Sequence, residues 1–192
     1  ARWRYLDDGS DQGTIWRNAD FDDSSWSSDF SEMGYGDGDE LTELGFGSDS
    51  SNRFATTYFR NDFFLQDVAT TGLRFLIKRD DAAAIYLNGA EIYRDSNLAP
   101  GATFSDYALL QIENEQEFAT VLVPPGQLVE GRNVVAVEVH QVNGTSSDLS
   151  FDFEIRAEVP AVTLVDQKRV WNYLDDGSNQ GTAWRGPDFE DR

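Results

Sequence analysis

A stretch of 21 residues occurs twice in this chain, and that repetition constrains the fold more than any other feature. WRYLDDGSDQGTIWRNADFDD, from Trp3 to Asp23, returns as WNYLDDGSNQGTAWRGPDFED, from Trp171 to Asp191, at a constant offset of 168 residues with 15 of 21 positions identical. Fixed-period self-similarity marks a repeat architecture. The chain reads as one complete unit over 1–158, a linker over 159–168 and the opening of a second unit over 169–192. A unit of that length can bury roughly 70% of its unfolded surface, enough for a core without staples.

Hydrophobic periodicity within the unit is that of strands. Trp3 and Tyr5 alternate with Arg2, Arg4 and Leu6, a short strand with an aromatic inner face. Gly9 and Gly13 permit left-handed backbone in the loop that follows, and Asp7, Asp8, Ser10 and Thr14 can bond its amides. Asp22 to Trp26 reads as a capped helical turn, and 27–53 reads as loop, rich in Gly, Ser and Asp. TTYFRNDFFL is a strand. GLRFLIKRD points Leu73, Phe75 and Ile77 inward, and Asn88-Gly89 between two apolar runs signals a hairpin. LLQIENEQEFATVLVP, VVAVEVHQ and LSFDFEIRAEV complete about eight strands, with no helix of three turns. The predicted fold class is all-β, an antiparallel sandwich of jelly-roll type.

Charge and composition exclude several functions. Thirty-five acidic residues against fifteen basic give a net charge of −20, which disfavours nucleic acid and anionic lipid as partners. No apolar run approaches 18 residues, so membrane insertion is not expected, and Ala1 opens directly into patterned sequence, as after removal of an export signal. With no cysteine there is neither a disulfide nor a thiol nucleophile. With one histidine, neither a triad nor a multi-histidine metal site is expected within the chain.

The acids fall in glycine-punctuated loops, where carboxylates and carbonyls can converge on a hard cation. Calcium is the expected cofactor, with Asp7, Asp8, Asp37, Asp39 and Glu40 as candidate ligands; a simply solvated acidic surface is the alternative. Tyr35 stands in the same glycine-rich loop region as a candidate ligand-binding residue. On VVAVEVHQ, Val135, Val137 and Val139 share one face and Ala136, Glu138 and His140 the other, a face expected to be half wet. Glu138 and His140 are either an acid–base pair or a structural hydrogen bond, and His140 is retained as a candidate binding residue.

The order FDDSSW, TTYFRNDFFL, GLRFLIKRDDAAAIYLNGAEIYR, LVEGRNVVAVEVHQ resembles the galactose-binding-like jelly roll, including the non-catalytic sugar-binding domain of family 2 glycosidases. Over 2–158 the chain also resembles a repeat module of large secreted bacterial proteins, which closes in a loop like NGTSSDLSFDFEI. The resemblance implies an extracellular or cell-surface home. RDDAAAIYLNG is similar to calcium-dependent sugar-binding domains of the anthrax protective-antigen type, with an alanine-rich stretch where those domains carry glycine after the acidic pair. That resemblance implies Asp80 and Asp81 as ligands of both calcium and sugar. The alternative places both acids at a strand start, facing solvent or paired with Arg79 or Arg94.

Three functions follow from these readings. The first is a secreted, non-catalytic, calcium-stabilised module that binds glycan. The second is a structural repeat of an adhesin or extracellular filament, in which Trp171–Asp191 takes, in a neighbouring unit or another copy of the chain, the place that Trp3–Asp23 takes in its own. The arginine terminus suits equally a trypsin-like cut through a longer array. An enzyme is third, lacking any nucleophile motif.

Overall fold

The computed structural model describes residues 1–68, 72–114, 116–123, 125–158, 168 and 170–190. They belong to two compact units, Ala1–Pro160 and Ala161–Arg192, and the expected linker at 159–168 lies, apart from Lys168, outside the described residues. In the first unit, eleven strands are described: β1 (Arg2–Leu6), β2 (Ser27–Phe30), β3 (Met33–Tyr35), β4 (Thr42–Glu43), β5 (Thr56–Leu65), β6 (Gly72–Arg79), β7 (Ala82–Leu87), β8 (Ala90–Arg94), β9 (Ala119–Val123), β10 (Gly131–His140) and β11 (Leu149–Glu158). They form a six-stranded sheet in the order β2-β1-β5-β10-β7-β8 and a five-stranded sheet in the order β4-β3-β11-β6-β9. Every pairing is antiparallel except that of β3 with β4. Helix is confined, among the described residues, to single 3-10 turns at Ile15–Arg17, Pro125–Gln127 and Ala183–Arg185, and no helix is long and apolar enough to cross a membrane.

Alternation along the strands builds the core between the sheets. Trp3, Phe59, Phe75, Ile77, Val135, Val137, Val139 and Phe151 are buried there. Phe59 stacks on Phe151 at 3.8 Å between ring centroids, and Trp3 meets Phe151 edge-on at 5.0 Å. The Asn88-Gly89 hairpin joins β7 to β8 with φ of 52° and 89°, the two positive values that a tight turn of this hand demands.

A second apolar layer covers the outer face of the six-stranded sheet, which the sequence reading expected to be half wet. Trp16 and Trp26, from the segment between β1 and β2, pack on Tyr58, Tyr86, Ala84 and Ala136, and Leu98, Ala102 and Ala108, from the segment after β8, complete the cover. Ala136, Glu138 and His140 are consequently buried at 0%, 2% and 0% exposure. Local alternation sets which face a side chain takes, whereas distant loops decide whether that face meets water.

Two local expectations change. Residues 27–53 carry the short strands β2, β3 and β4 rather than loop alone, because pairing with β1 and β11 satisfies backbone that composition marks as irregular. The strand expected over 109–124 is confined to Ala119–Val123; upstream, Ala108 and Leu109 donate their amides to the carbonyls of Gln141 and Asn97 as part of the cover. The turn expected at Asp22–Trp26 forms, with the Trp26 amide bonded to Asp23 O at 3.0 Å.

In the second unit the repeated segment adopts the backbone of its counterpart. Gly177 and Gly181 have φ of 74° and 62°, against 73° and 57° at Gly9 and Gly13. Asp176 accepts from the Ser178 amide as Asp8 does from Ser10, and the 3-10 turn at Ala183–Arg185 matches that at Ile15–Arg17. Burial differs. Trp3 and Trp16 are 1% and 0% exposed, whereas Trp171 and Trp184 are 67% and 53% exposed.

Candidate functional site

Asp80 and Asp81 sit where β6 passes into β7, across a cis peptide bond. They are 2% and 1% exposed, so neither faces solvent. The Asp80 amide donates to Ser150 O at 3.1 Å and the Asp81 amide to His140 O at 3.2 Å, which anchors the turn to both sheets. The Asp81 carboxylate accepts from the amides of Val142, at 2.6 Å, and Ile112, at 3.3 Å, tying together the loops after β10 and before β9. The partners expected for this pair are engaged elsewhere: Arg79 grips Asp95 at 2.6 and 2.8 Å, and Arg94 grips Glu91 at 2.7 and 3.0 Å. An arginine has a rigid fork, and these two forks meet the carboxylates that the β7–β8 hairpin brings alongside.

Tyr35 closes β3 and is also buried, at 4%. Its hydroxyl accepts from Gln141 Nε2 at 2.8 Å, and Arg53 lies over both the Tyr35 and Phe46 rings, at 4.9 and 4.5 Å. Burial pushes the Tyr35 phenol up, against the opposing pull of Arg53. The Gln141 amide group also donates to Asp148 O at 2.6 Å. Tyr35, Gln141 and Asp80–Asp81 thus form the interior of one end of the sandwich, beneath its loops.

The carboxylates of Asp37, Asp39 and Glu40 are brought together, with one oxygen of each lying within 4.8 Å of the others. Asp37 and Asp39 are exposed and Glu40 is half-buried. Glu40 accepts from the amides of Asp37 and Gly38 at 2.9 and 2.8 Å, and backbone N–H groups, its own foremost, hold its carboxyl below the usual range. Asp37 accepts from Ser150 Oγ at 2.8 Å, which attaches this loop to β11. Oxygen ligands of this kind suit a hard cation such as calcium. Asp7 and Asp8 stand apart from that trio in their roles: Asp7 accepts from the Gly45 amide and Asp8 from both the amide and hydroxyl of Ser10.

His140 is closed off under the cover. Its Nδ1 lies 2.7 Å from Asp106 O and 3.0 Å from Thr56 Oγ1; a carbonyl only accepts, so Nδ1 carries the hydrogen in the first contact. Nε2 stands 3.8 Å from Glu138 Oε2, beyond hydrogen-bond reach. Glu138 instead accepts from Tyr86 Oη at 2.7 Å, with Arg17 at 3.6 Å and Arg94 at 3.8 Å. Burial raises its carboxyl, but His140, Tyr86 and Arg17 together outweigh that and leave it below the ordinary range. Arg17, Arg53 and Gln141 escaped the sequence reading. Only Arg17 carried a signal, the Trp-Arg pair that returns at Trp184-Arg185.

This two-sheet sandwich is similar in fold to parts of solved structures. Over 83% of its length the chain is similar to 20% of a beta-glycosidase from Bacteroides vulgatus, at 13% identity and a TM-score of 0.51. Over 82% it is similar to 20% of a glycosyl hydrolase family 2 member from Bacteroides cellulosilyticus, at 12% identity and a TM-score of 0.51. The fold is an antiparallel β-sandwich of jelly-roll type. The chain spans about a fifth of the length of either glycosidase. No family model and no curated protein sequence matches the chain.

Within that fold, the buried acids and His140 fasten loops to strands, while Asp8, Asp37 and Asp39 are the candidate acids open to solvent.

Proposed function

We propose that this chain is a non-catalytic binding module for glycan, carried by a secreted or cell-surface protein and stabilised by calcium. The observation that supports it most is the likeness in fold to a segment amounting to a fifth of two glycosidases, an accessory share of those chains rather than the bulk of them. Under this reading Asp37, Asp39 and Glu40 hold the calcium. Asp80, Asp81, Tyr35 and His140 act from beneath, fixing the loops at one end of the sandwich, and Asp7 and Asp8 fix the loop after β1. The test is a glycan microarray probed with the full chain, once in millimolar calcium and once in chelator. Binding to one sugar class is the expected result, and silence from protein shown to be folded would sink the reading.

A second reading, a structural repeat whose units join through the duplicated segment, is favoured by one observation. Trp171, Tyr173, Leu174, Trp184 and Phe189 are exposed in the second unit, although their sequence is that of a segment buried in the first. Light scattering on the chain and on a variant ending before residue 169 separates the readings: a higher mass for the full chain alone supports joined units.

A further inference from the structure

The outer face of the six-stranded sheet is covered at one end only. Register places Ser28 and Phe30 of β2 opposite Arg4 and Arg2 of β1, Arg4 opposite Arg60 of β5, and Asp62 and Phe64 of β5 opposite Val134 and Arg132 of β10. Directly opposed residues share a face, so all of these point outward. Beyond the reach of Trp16 and Trp26 the face opens into a cleft of about 410 Å³, lined by Arg2, Arg4, Arg60 and Arg132 with Asp23 and Asp62. Volumes of about 300–1,000 Å³ are usual for small-ligand sites.

The cleft reverses the sign of the molecule. Four of the fifteen basic side chains of a chain with net charge −20 meet here, against two carboxylates. Asp23 is shared between Arg4, at 3.1 Å, and Arg60, at 2.8 Å; Asp62 meets Arg132 at 3.5 Å. Among the described residues Arg2 donates to Ser28 O alone, at 3.4 Å. Arg60 is 1% exposed, its Nη1 bonds Trp16 O and its guanidinium lies over Phe21 at 5.3 Å. Arg60 Nη2 is buried and, among the described residues, has no hydrogen-bond partner.

Phe30 and Phe64, 55% and 71% exposed, stand on the same sheet face, two strand spacings or about 10 Å apart across the sheet. We propose that this cleft binds the anionic groups of an acidic glycan. A uronate or sulfated sugar matches its layout, with C–H faces that pack on a phenyl ring and a planar or tetrahedral oxyanion that a guanidinium fork grips. The surrounding negative surface confines the attraction for an anionic group to the cleft. This inference rests on the glycan reading and specifies the ligand class and the place.

The test is calorimetric titration of the full chain, in chelator, with an oligogalacturonate, a sulfated oligosaccharide, a neutral galactan oligomer and poly-glutamate. Wild type is expected to bind at least one acidic sugar, with affinity falling as salt rises, and to bind poly-glutamate and the neutral oligomer at least tenfold more weakly. Arg2→Gln is expected to lower the acidic-sugar affinity about tenfold, in keeping with a charge-assisted hydrogen bond. Phe64→Ala should lower it severalfold with no change of charge. Both side chains are exposed enough for the variants to keep the wild-type melting temperature. Binding of the neutral oligomer alone, or of none of the sugars, overturns the cleft, whereas the glycan reading stands or falls on the microarray. Equal binding of poly-glutamate, or variants that bind as wild type does, overturns the cleft.

Discussion

The Tyr86 hydroxyl donates a 2.7 Å hydrogen bond to Glu138, and both side chains are only 2% exposed. With Arg17 and Arg94 near the same carboxylate, the network joins β10 and β7 to the covering segment. Glu138→Ala leaves the Tyr86 hydroxyl without its acceptor and removes the negative charge that Arg17 and Arg94 face. Removing one partner of a buried charge network costs about 3–5 kcal/mol, so the variant should melt well below wild type; an unchanged melting temperature would show that the network contributes nothing.

The same carboxylate gives the fold an acid limit. Its pKa is lowered in the folded state, so its contribution is present above the ordinary carboxylate range and is lost as pH falls through the depressed value. Glu138→Gln, measured by denaturant titration between pH 7 and pH 3, should lose less stability on acidification than wild type does. Parallel pH profiles would refute the assignment.

Trp16 and Trp184 occupy equivalent places in the repeated sequence but not in the packing. Trp16 is fully buried and lies 4.7 Å from Tyr58 and 5.7 Å from Tyr86 between ring centroids. Trp16→Ala should cost about 3–5 kcal/mol. Trp184→Ala, at a side chain 53% exposed, should leave the unfolding of the first unit within about 0.5 kcal/mol of wild type. Thermal scans of both variants check this, and comparable losses would mean that the second segment is packed in solution.

Calcium bound by Asp37, Asp39 and Glu40 should raise the melting temperature at concentrations near 10⁻⁴–10⁻³ M, the range of weak extracellular sites. The shift should disappear in Asp37→Asn/Asp39→Asn. Identical melting in chelator and in 5 mM calcium, about five times the top of that range, refutes the metal.

Gly34 lies in β3 where β11 crosses closely: a Cβ added there would run into the backbone carbonyl of Leu149. Gly in a strand often marks such a backbone approach. Gly34→Ala must part β3 from β11 and is expected to lower stability by about 2 kcal/mol or more, in line with overpacking in a close-packed interior. Urea denaturation measures it.

What the sequence determined by itself is what short-range chemistry can specify. The loop after β1 takes the same glycine conformations and the same Asp–Ser bonds in both copies, although only one copy buries its tryptophans. Its shape is therefore encoded within about ten residues, by glycines that tolerate positive φ and side chains that bond nearby amides. The Asn88-Gly89 hairpin and the inward alternation of Leu73, Phe75 and Ile77 were legible for the same reason. Whether a given face met water was not legible. Glu138, His140, Asp80 and Asp81 read as candidates for a wet site, yet each is buried, because segments far away in sequence fold over them and supply the amides, hydroxyls and guanidinium groups that make burial of a charge tolerable. The arginine cleft has the same origin. Arg2, Arg4, Arg60 and Arg132 lie up to 130 positions apart, and only the register of β1, β5 and β10 brings them onto one face.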